Sequence, residues 1–161
     1  MQIFFPSNEL MIALCLILWP VFQLSAVWIC LKMPDRYFSP DHFLYREHKW
    51  EANGTFYEKV LKIRKWKHLL PDGGAVIKGG FSKKHLNDHS QENLERFLME
   101  TCRAELQHFL AILPFWVFGL FTSPIVIPLM LIYAVAVNVP CIVTQRYNRI
   151  RLARVLKKHY T

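Results

Sequence analysis

Two stretches of this chain hold no charged side chain over lengths that only a membrane readily accommodates: Leu10 to Leu31, 22 residues, and Phe109 to Thr144, 36 residues. About 20 apolar helical residues cross the hydrocarbon core of a bilayer, so the first run supplies one span, at about residues 10–31. The second run is too long for one span and short for two, and Thr122-Ser123-Pro124 marks a break within it. Its limbs are then 109–121 and 125–144. The shorter limb reaches only about 20 Å at 1.5 Å per residue, so it must thin the bilayer, borrow length from the preceding helix or be re-entrant. Pro20, Pro128, Asn138 and Pro140 inside the runs predict kinks and polar contacts with neighbouring helices. A signal peptide fits the first run poorly, because its leader has Glu9 and no Lys or Arg and because it exceeds the usual apolar core of about 7 to 15 residues. The expected fold is an all-α membrane protein with about three transmembrane helices, forming a single membrane domain over residues 1–161.

The charges are segregated as sharply as the apolar residues. A net charge of +8 accompanies a 53% hydrophobic fraction, and all 20 Lys and Arg fall in the loop 32–108 or the tail 145–161. Nucleic acid would suit the charge alone, but the apolar runs need a bilayer, whose anionic surface attracts the same side chains. Membrane lipid is therefore the expected partner, and nucleic acid is not. Three crossings put both basic segments on one side. The positive-inside rule makes that side the cytoplasm of a multi-pass cell-membrane protein, with the N-terminus outside. Cys15, Cys30, Cys102 and Cys141 have no metal-finger spacing and read as small apolar residues.

Within the loop, Pro34, Pro40 and Gly54 alternate with Tyr37, Phe38, Phe43, Tyr45 and Trp50, a mixture suited to the headgroup layer. Thr55 with Glu58 forms the pattern of a capping box and predicts a helix through about His68. Lys59, Lys62 and Lys65 would share one face of this interfacial amphipathic segment, although an ordinary helix packed on its own small domain has the same pattern. Leu70 to Phe81 is rich in turns, and its glycines lack the Lys and Ser or Thr that a phosphate loop requires. Asp88 with Gln91, or Ser90 alone, can cap the next helix. From Leu94 to Leu110 apolar residues recur at helical spacing, so that helix runs from a charged segment into an uncharged one and leaves His108 at the boundary.

An ionisable group at that depth is a functional candidate. His108 stands one turn beyond Glu105, a spacing that brings imidazole and carboxylate to one side of a helix. His68 is followed by Asp72 across a turn. A carboxylate-oriented His can take a proton from a hydroxyl, the general-base half of an acyl transfer. The plainer reading is a set of polar residues flanking a span, with Arg103 paired to Glu100. A metal site is the competing chemistry, from His85-x-x-x-His89 and Glu105-x-x-His108, but the second Glu-x-x-His of a di-iron bundle and any HExxH are missing.

Three blocks carry a family resemblance: Arg64-Lys65-Trp66-Lys67-His68 with Asp72-Gly73; Glu100 to His108, ETCRAELQH; and Asn138-Val139-Pro140 with Gln145-Arg146-Tyr147-Asn148-Arg149-Ile150-Arg151-Leu152. In these the chain resembles the glycosyl-4,4'-diaponeurosporenoate acyltransferases, small membrane proteins assigned the last step of staphyloxanthin-type carotenoid synthesis, over about Trp19 to Leu156. The resemblance implies transfer of a fatty acyl chain to the sugar primary hydroxyl of a glycosylated carotenoid or similar glycolipid. His108 with Glu105 is then the first candidate for the base, and His68 with Asp72 the second. Arg64, Lys65, Trp66, Lys67, Arg103, Asn138, Gln145, Arg146, Tyr147, Asn148 and Arg149 become candidates for binding substrate or the phosphates of an acyl donor such as acyl-CoA. The arginines could equally hold lipid headgroups. No cofactor beyond that donor is expected. The rivals are a non-catalytic membrane subunit of a biosynthetic complex and a metal-dependent lipid hydrolase.

Overall fold

The computed structural model describes residues 2–70 and 90–160. Among them all regular structure is helical, in the order α1 (Asn8–Lys32), 3-10 turns at Asp35–Tyr37 and Lys49–Gly54, α2 (Thr55–Lys59), α3 (Ile63–Trp66), a 3-10 turn at Lys67–Leu69, α4 (Gln91–Ile112), a 3-10 helix at Leu113–Leu120 and α5 (Val126–Tyr160). The chain divides into two compact units: Met1–Lys32 with Leu106–Pro140, and Met33–Glu105 with Cys141–Thr161.

Among the described residues, α1 in the first unit and α5, whose N-terminal part to Pro140 belongs to it, are the two helices long and apolar enough to cross a membrane, and only 11% and 17% of their most apolar windows are buried. A core helix of a soluble protein would be mostly covered. Here Leu16, Ile17, Leu24, Trp28 and Ile132 stand exposed, which fits a surface solvated by lipid. The covered side of the unit is aromatic: Trp19 packs on Phe118 and Tyr133 with ring centroids 5.6 and 5.0 Å apart, and Phe22 meets Phe118 edge-on.

The uncharged continuation of α4 is shorter as α-helix than the sequence suggests. Pro114 lacks the amide that would bond the Leu110 carbonyl, and its ring crowds that turn. The α-helix accordingly stops at Ile112 and tightens to a 3-10 helix through Leu120. At 1.5 Å and about 2.0 Å rise per residue, the limb 109–120 is about 22 Å long, against about 30 Å for a hydrocarbon core. The predicted break lies where expected. The Thr122 hydroxyl donates to the Phe118 carbonyl at 2.7 Å, and the Val126 amide to the Ser123 carbonyl at 2.9 Å. The amides of Ile3 and Phe4 donate to the Leu120 carbonyl at 2.7 and 3.0 Å, bringing the N-terminal segment to this turn.

In the second unit α4 starts as expected from Ser90, whose hydroxyl accepts the Asn93 amide at 3.4 Å. Its buried positions there are Leu94, Leu98, Thr101, Cys102 and Glu105, one helical stripe that ends on a carboxylate. The helix expected from Thr55 to His68 is broken. α2 ends at Lys59, Lys62 takes a left-handed φ of 50°, and the Trp66 indole donates to the Leu61 carbonyl at 2.8 Å. The break lets Tyr57 and Ile63 both reach a core shared with Tyr147 and Ile150. Nor does Thr55 cap α2. Gly54, at φ 82°, precedes it, and Glu58 is bonded to Tyr147 and Arg64 instead. Lys59, Lys62 and Lys65 are exposed, as the sequence pattern predicts. The Leu70–Phe81 loop beyond its first residue, and Asp88, lie outside the described residues.

Candidate functional site

Four buried or nearly buried charges dominate the second unit. Glu51 and Glu105 are inaccessible, Arg149 is buried and Arg146 nearly so. Arg146 places all five of its N–H donors. Nε and Nη2 grip the two oxygens of Glu51 at 3.0 and 3.1 Å, Nη1 reaches Glu105 Oε1 at 2.7 Å and the Leu44 carbonyl at 3.1 Å, and Nη2 also meets the Arg46 carbonyl at 3.2 Å. Arg149 takes the other Glu105 oxygen through Nη2 and donates from Nε to the Tyr45 carbonyl at 2.9 Å. Glu51 is further bonded by the Tyr57 hydroxyl and, at 2.6 Å, by the His48 amide. Two carboxylates face two guanidinium groups, so the cluster is electrically balanced. Burial pushes the Glu51 carboxyl up, but hydrogen bonds from Arg146, Tyr57 and His48 outweigh it and hold the group below its ordinary value.

His108, in the first unit, has a different partner from the one its spacing suggests. Its Nδ1 lies 2.9 Å from Asn138 Oδ1, while Asn138 Nδ2 donates to the Ala134 carbonyl at 3.0 Å. Asn138 is fully buried and His108 half-buried. The expectation that Glu105 orients His108 is therefore corrected: both Glu105 oxygens are held by Arg146 and Arg149, which outcompete a neutral ring, and an amide does the orienting. The predicted polar contact at Asn138 is present.

The remaining candidates separate into groups. Arg103 pairs with Glu100, as the spacing predicts, and with Asp35, and its guanidinium lies 4.7 Å above the Phe38 ring. Buried Tyr147 donates to Glu58 at 2.6 Å and accepts from Arg64 and Arg151, both at 3.3 Å. Lys67 reaches Asn148 at 3.4 Å and sits 5.0 Å over the Tyr147 ring. Lys65 and His68 are exposed, Trp66 is bound to its own turn, and Gln145 is half-buried. Asp72, His85 and His89 lie outside the described residues. Among the described residues no three His, Cys, Asp or Glu converge as metal ligands. Sequence reasoning missed Glu51, Glu58 and Tyr57. Glu51 and Glu58 find their partners Arg146 and Tyr147 at separations of 95 and 89 residues, which no local spacing signals.

Residues 41–158 match the family model described as glycosyl-4,4'-diaponeurosporenoate acyltransferase. Proteins of that name from Staphylococcus aureus strains MRSA252 and RF122 are 35% and 34% identical over 144 residues, and that from strain N315 is 34% identical over 143. Each alignment covers 89% of this chain and 86% of the relative. No solved structure matches. The protein is thus an acyltransferase, helical in all the regular structure of its described residues. It belongs to the glycosyl-4,4'-diaponeurosporenoate acyltransferase family, and its match takes in both the ion-pair cluster and the His108–Asn138 pair.

Removing one member of a buried pair strands the other charges, at a typical cost of about 3 to 5 kcal/mol. Glu105→Gln should lower unfolding stability by about that much, whereas Asp35→Asn, at the exposed end of the Arg103 pair, should cost under about 1 kcal/mol. Chemical unfolding in detergent checks both. The acid response has a definite sign as well. A carboxyl depressed on folding contributes fully above its unfolded value, near 4.3, and loses that contribution as pH falls through the lower folded value. Tryptophan fluorescence during acid titration should therefore show the Glu51-dependent loss only below about pH 4.3, and Glu51→Gln should abolish it.

Proposed function

We propose that this protein esterifies a fatty acyl chain onto the sugar primary hydroxyl of a membrane-embedded glycosylated carotenoid, or a glycolipid of the same build, with His108 as general base. The observation that carries this reading is the family match over residues 41–158 with relatives bearing that substrate in their name. A polar pair built into apolar sequence supports the choice of base. A half-buried imidazole hydrogen-bonded to a buried amide is costly to keep in such surroundings unless it is used.

The topology we propose is three crossings with the N-terminus outside. Residues 33–105 and 141–161 belong to one compact unit, and Glu105 is bonded to Arg146 and Arg149, which favours one side of the membrane for loop and tail. The chain between them then crosses an even number of times, outward through the limb 109–120 and back through α5. The bonds from Ile3 and Phe4 to Leu120 support an N-terminus at the same face as the 121–125 turn. The limb makes up its length by drawing on α4. Asn138 lies eight residues before Arg146 on α5, about 12 Å of helix. The base stands in the sequence where the charged segment gives way to the uncharged one, the depth at which an amphiphile with its polyene in the bilayer brings its sugar.

The acyl donor is an activated ester, and its phosphates, where it carries them, are better served by the group of Arg64, Lys67 and Arg151 around Tyr147, where Arg64 shares Glu58 but stays exposed, than by the buried Arg146 and Arg149. The pair His68 and Asp72 is the second choice for the base. Purified protein given acyl donor and carotenoid glycoside should form the ester. His108→Ala should reduce the rate by at least about 100-fold, the usual worth of a general base, and His68→Ala should leave it within about threefold. An inactive wild type with both substrates present, or the reverse ranking of the two variants, would contradict the proposal.

A further inference from the structure

We infer that Asn138 is a positioning residue that fixes His108 as the Nδ1–H tautomer and so makes Nε2 the atom that receives the proton. The inference rests on the reading of His108 as base, but its argument is independent of the substrate. The Ala134 carbonyl can only accept a hydrogen bond, so the Asn138 atom 3.0 Å from it must be the amide nitrogen. Reversing the amide would set two lone-pair-bearing oxygens against each other in a fully buried place. Asn138 Oδ1 is then the atom facing His108 Nδ1 at 2.9 Å, and it too can only accept. Nδ1 must carry the hydrogen. In the neutral ring this leaves the lone pair on Nε2, which has no partner among the described residues.

The helix itself sets this arrangement. Ala134 and Asn138 are four apart on α5, so the side-chain amide bonds back to a carbonyl of its own helix, and the direction of the chain fixes which end of the amide points away. Asn138 contributes no charge and no reacting atom. In the transfer, the acceptor hydroxyl gives its proton to Nε2 while its oxygen bonds to the acyl carbonyl carbon. The bond from that carbon to the donor's sulfur or oxygen breaks, and the proton on Nε2 passes to the departing atom. The imidazolium formed in between keeps its Nδ1–H bond to Oδ1, so the ring is held in place through both proton transfers.

The test is made on the full chain in detergent micelles with 15N-labelled histidine, at a pH where the ring is neutral. His108 signals are assigned by their loss in His108→Ala, and long-range proton–nitrogen couplings report which ring nitrogen is protonated. Wild-type protein should show protonated Nδ1 and unprotonated Nε2. Asn138→Leu, with the same branching but without an acceptor, should lose that preference and about 10- to 100-fold in kcat, part of the usual worth of a general base, with KM within about twofold. An Nε2–H tautomer in the wild type overturns the inference without any variant having to fold, as does Asn138→Leu with a wild-type kcat. His108→Ala with full activity would overturn the base assignment even if the tautomer were as stated, so the two failures are separable.

Discussion

The pairing of Glu51 and Glu105 with Arg146 and Arg149 is the interaction on which the rest of the structure depends. Two inaccessible carboxylates would each cost several kcal/mol if left alone. They persist because a guanidinium is a rigid fork of five donors, and Arg146 spends all five on two carboxylates and two backbone carbonyls. The same contacts order a loop with little regular structure, since the carbonyls of Leu44, Tyr45 and Arg46 are all bound by arginines from α5. A lysine, with three donors on one nitrogen, could not make this set of contacts.

A contact between residues 105 and 146–149 also constrains the route of the chain. Whatever lies between them must leave the basic unit and return to it. The limb 109–120, at about 22 Å, is poor as an isolated span, and in the proposed topology it crosses so that α5 can return. Pro114 explains the tight helix and Gly119 the close turn, where a side chain would collide with Ile127. The exposed apolar faces of α1 and α5 suit contact with lipid, and the polar pair His108–Asn138 lies in the same unit.

Much of the fold was legible in the sequence because its signals were local. The uncharged runs anticipated α1 and α5, Thr122-Ser123-Pro124 the break, Ser90 the start of α4, and Asn138 a polar contact. The site was less legible because its partners are far apart in the chain. Glu51 and Arg146 are 95 residues distant, and no spacing rule links them. Local rules failed where a distant partner won. Glu105 is one turn from His108 but goes to two guanidinium groups, Glu58 leaves the predicted capping box for Tyr147 and Arg64, and the helix from Thr55 breaks so that Ile63 can join the core with Tyr147.

The most direct measurement of the central claim is the side of the membrane on which the loop and the tail lie. Single cysteines at the exposed positions Lys65, Ser123 and Lys157, in a chain whose four native cysteines are replaced by alanine, can be labelled with a membrane-impermeant maleimide before and after intact bacterial cells are opened. Positions 65 and 157 should be protected together in intact cells and react together once the cells are opened, with position 123 reacting from outside. Labelling of 65 and 157 from opposite faces would contradict the account.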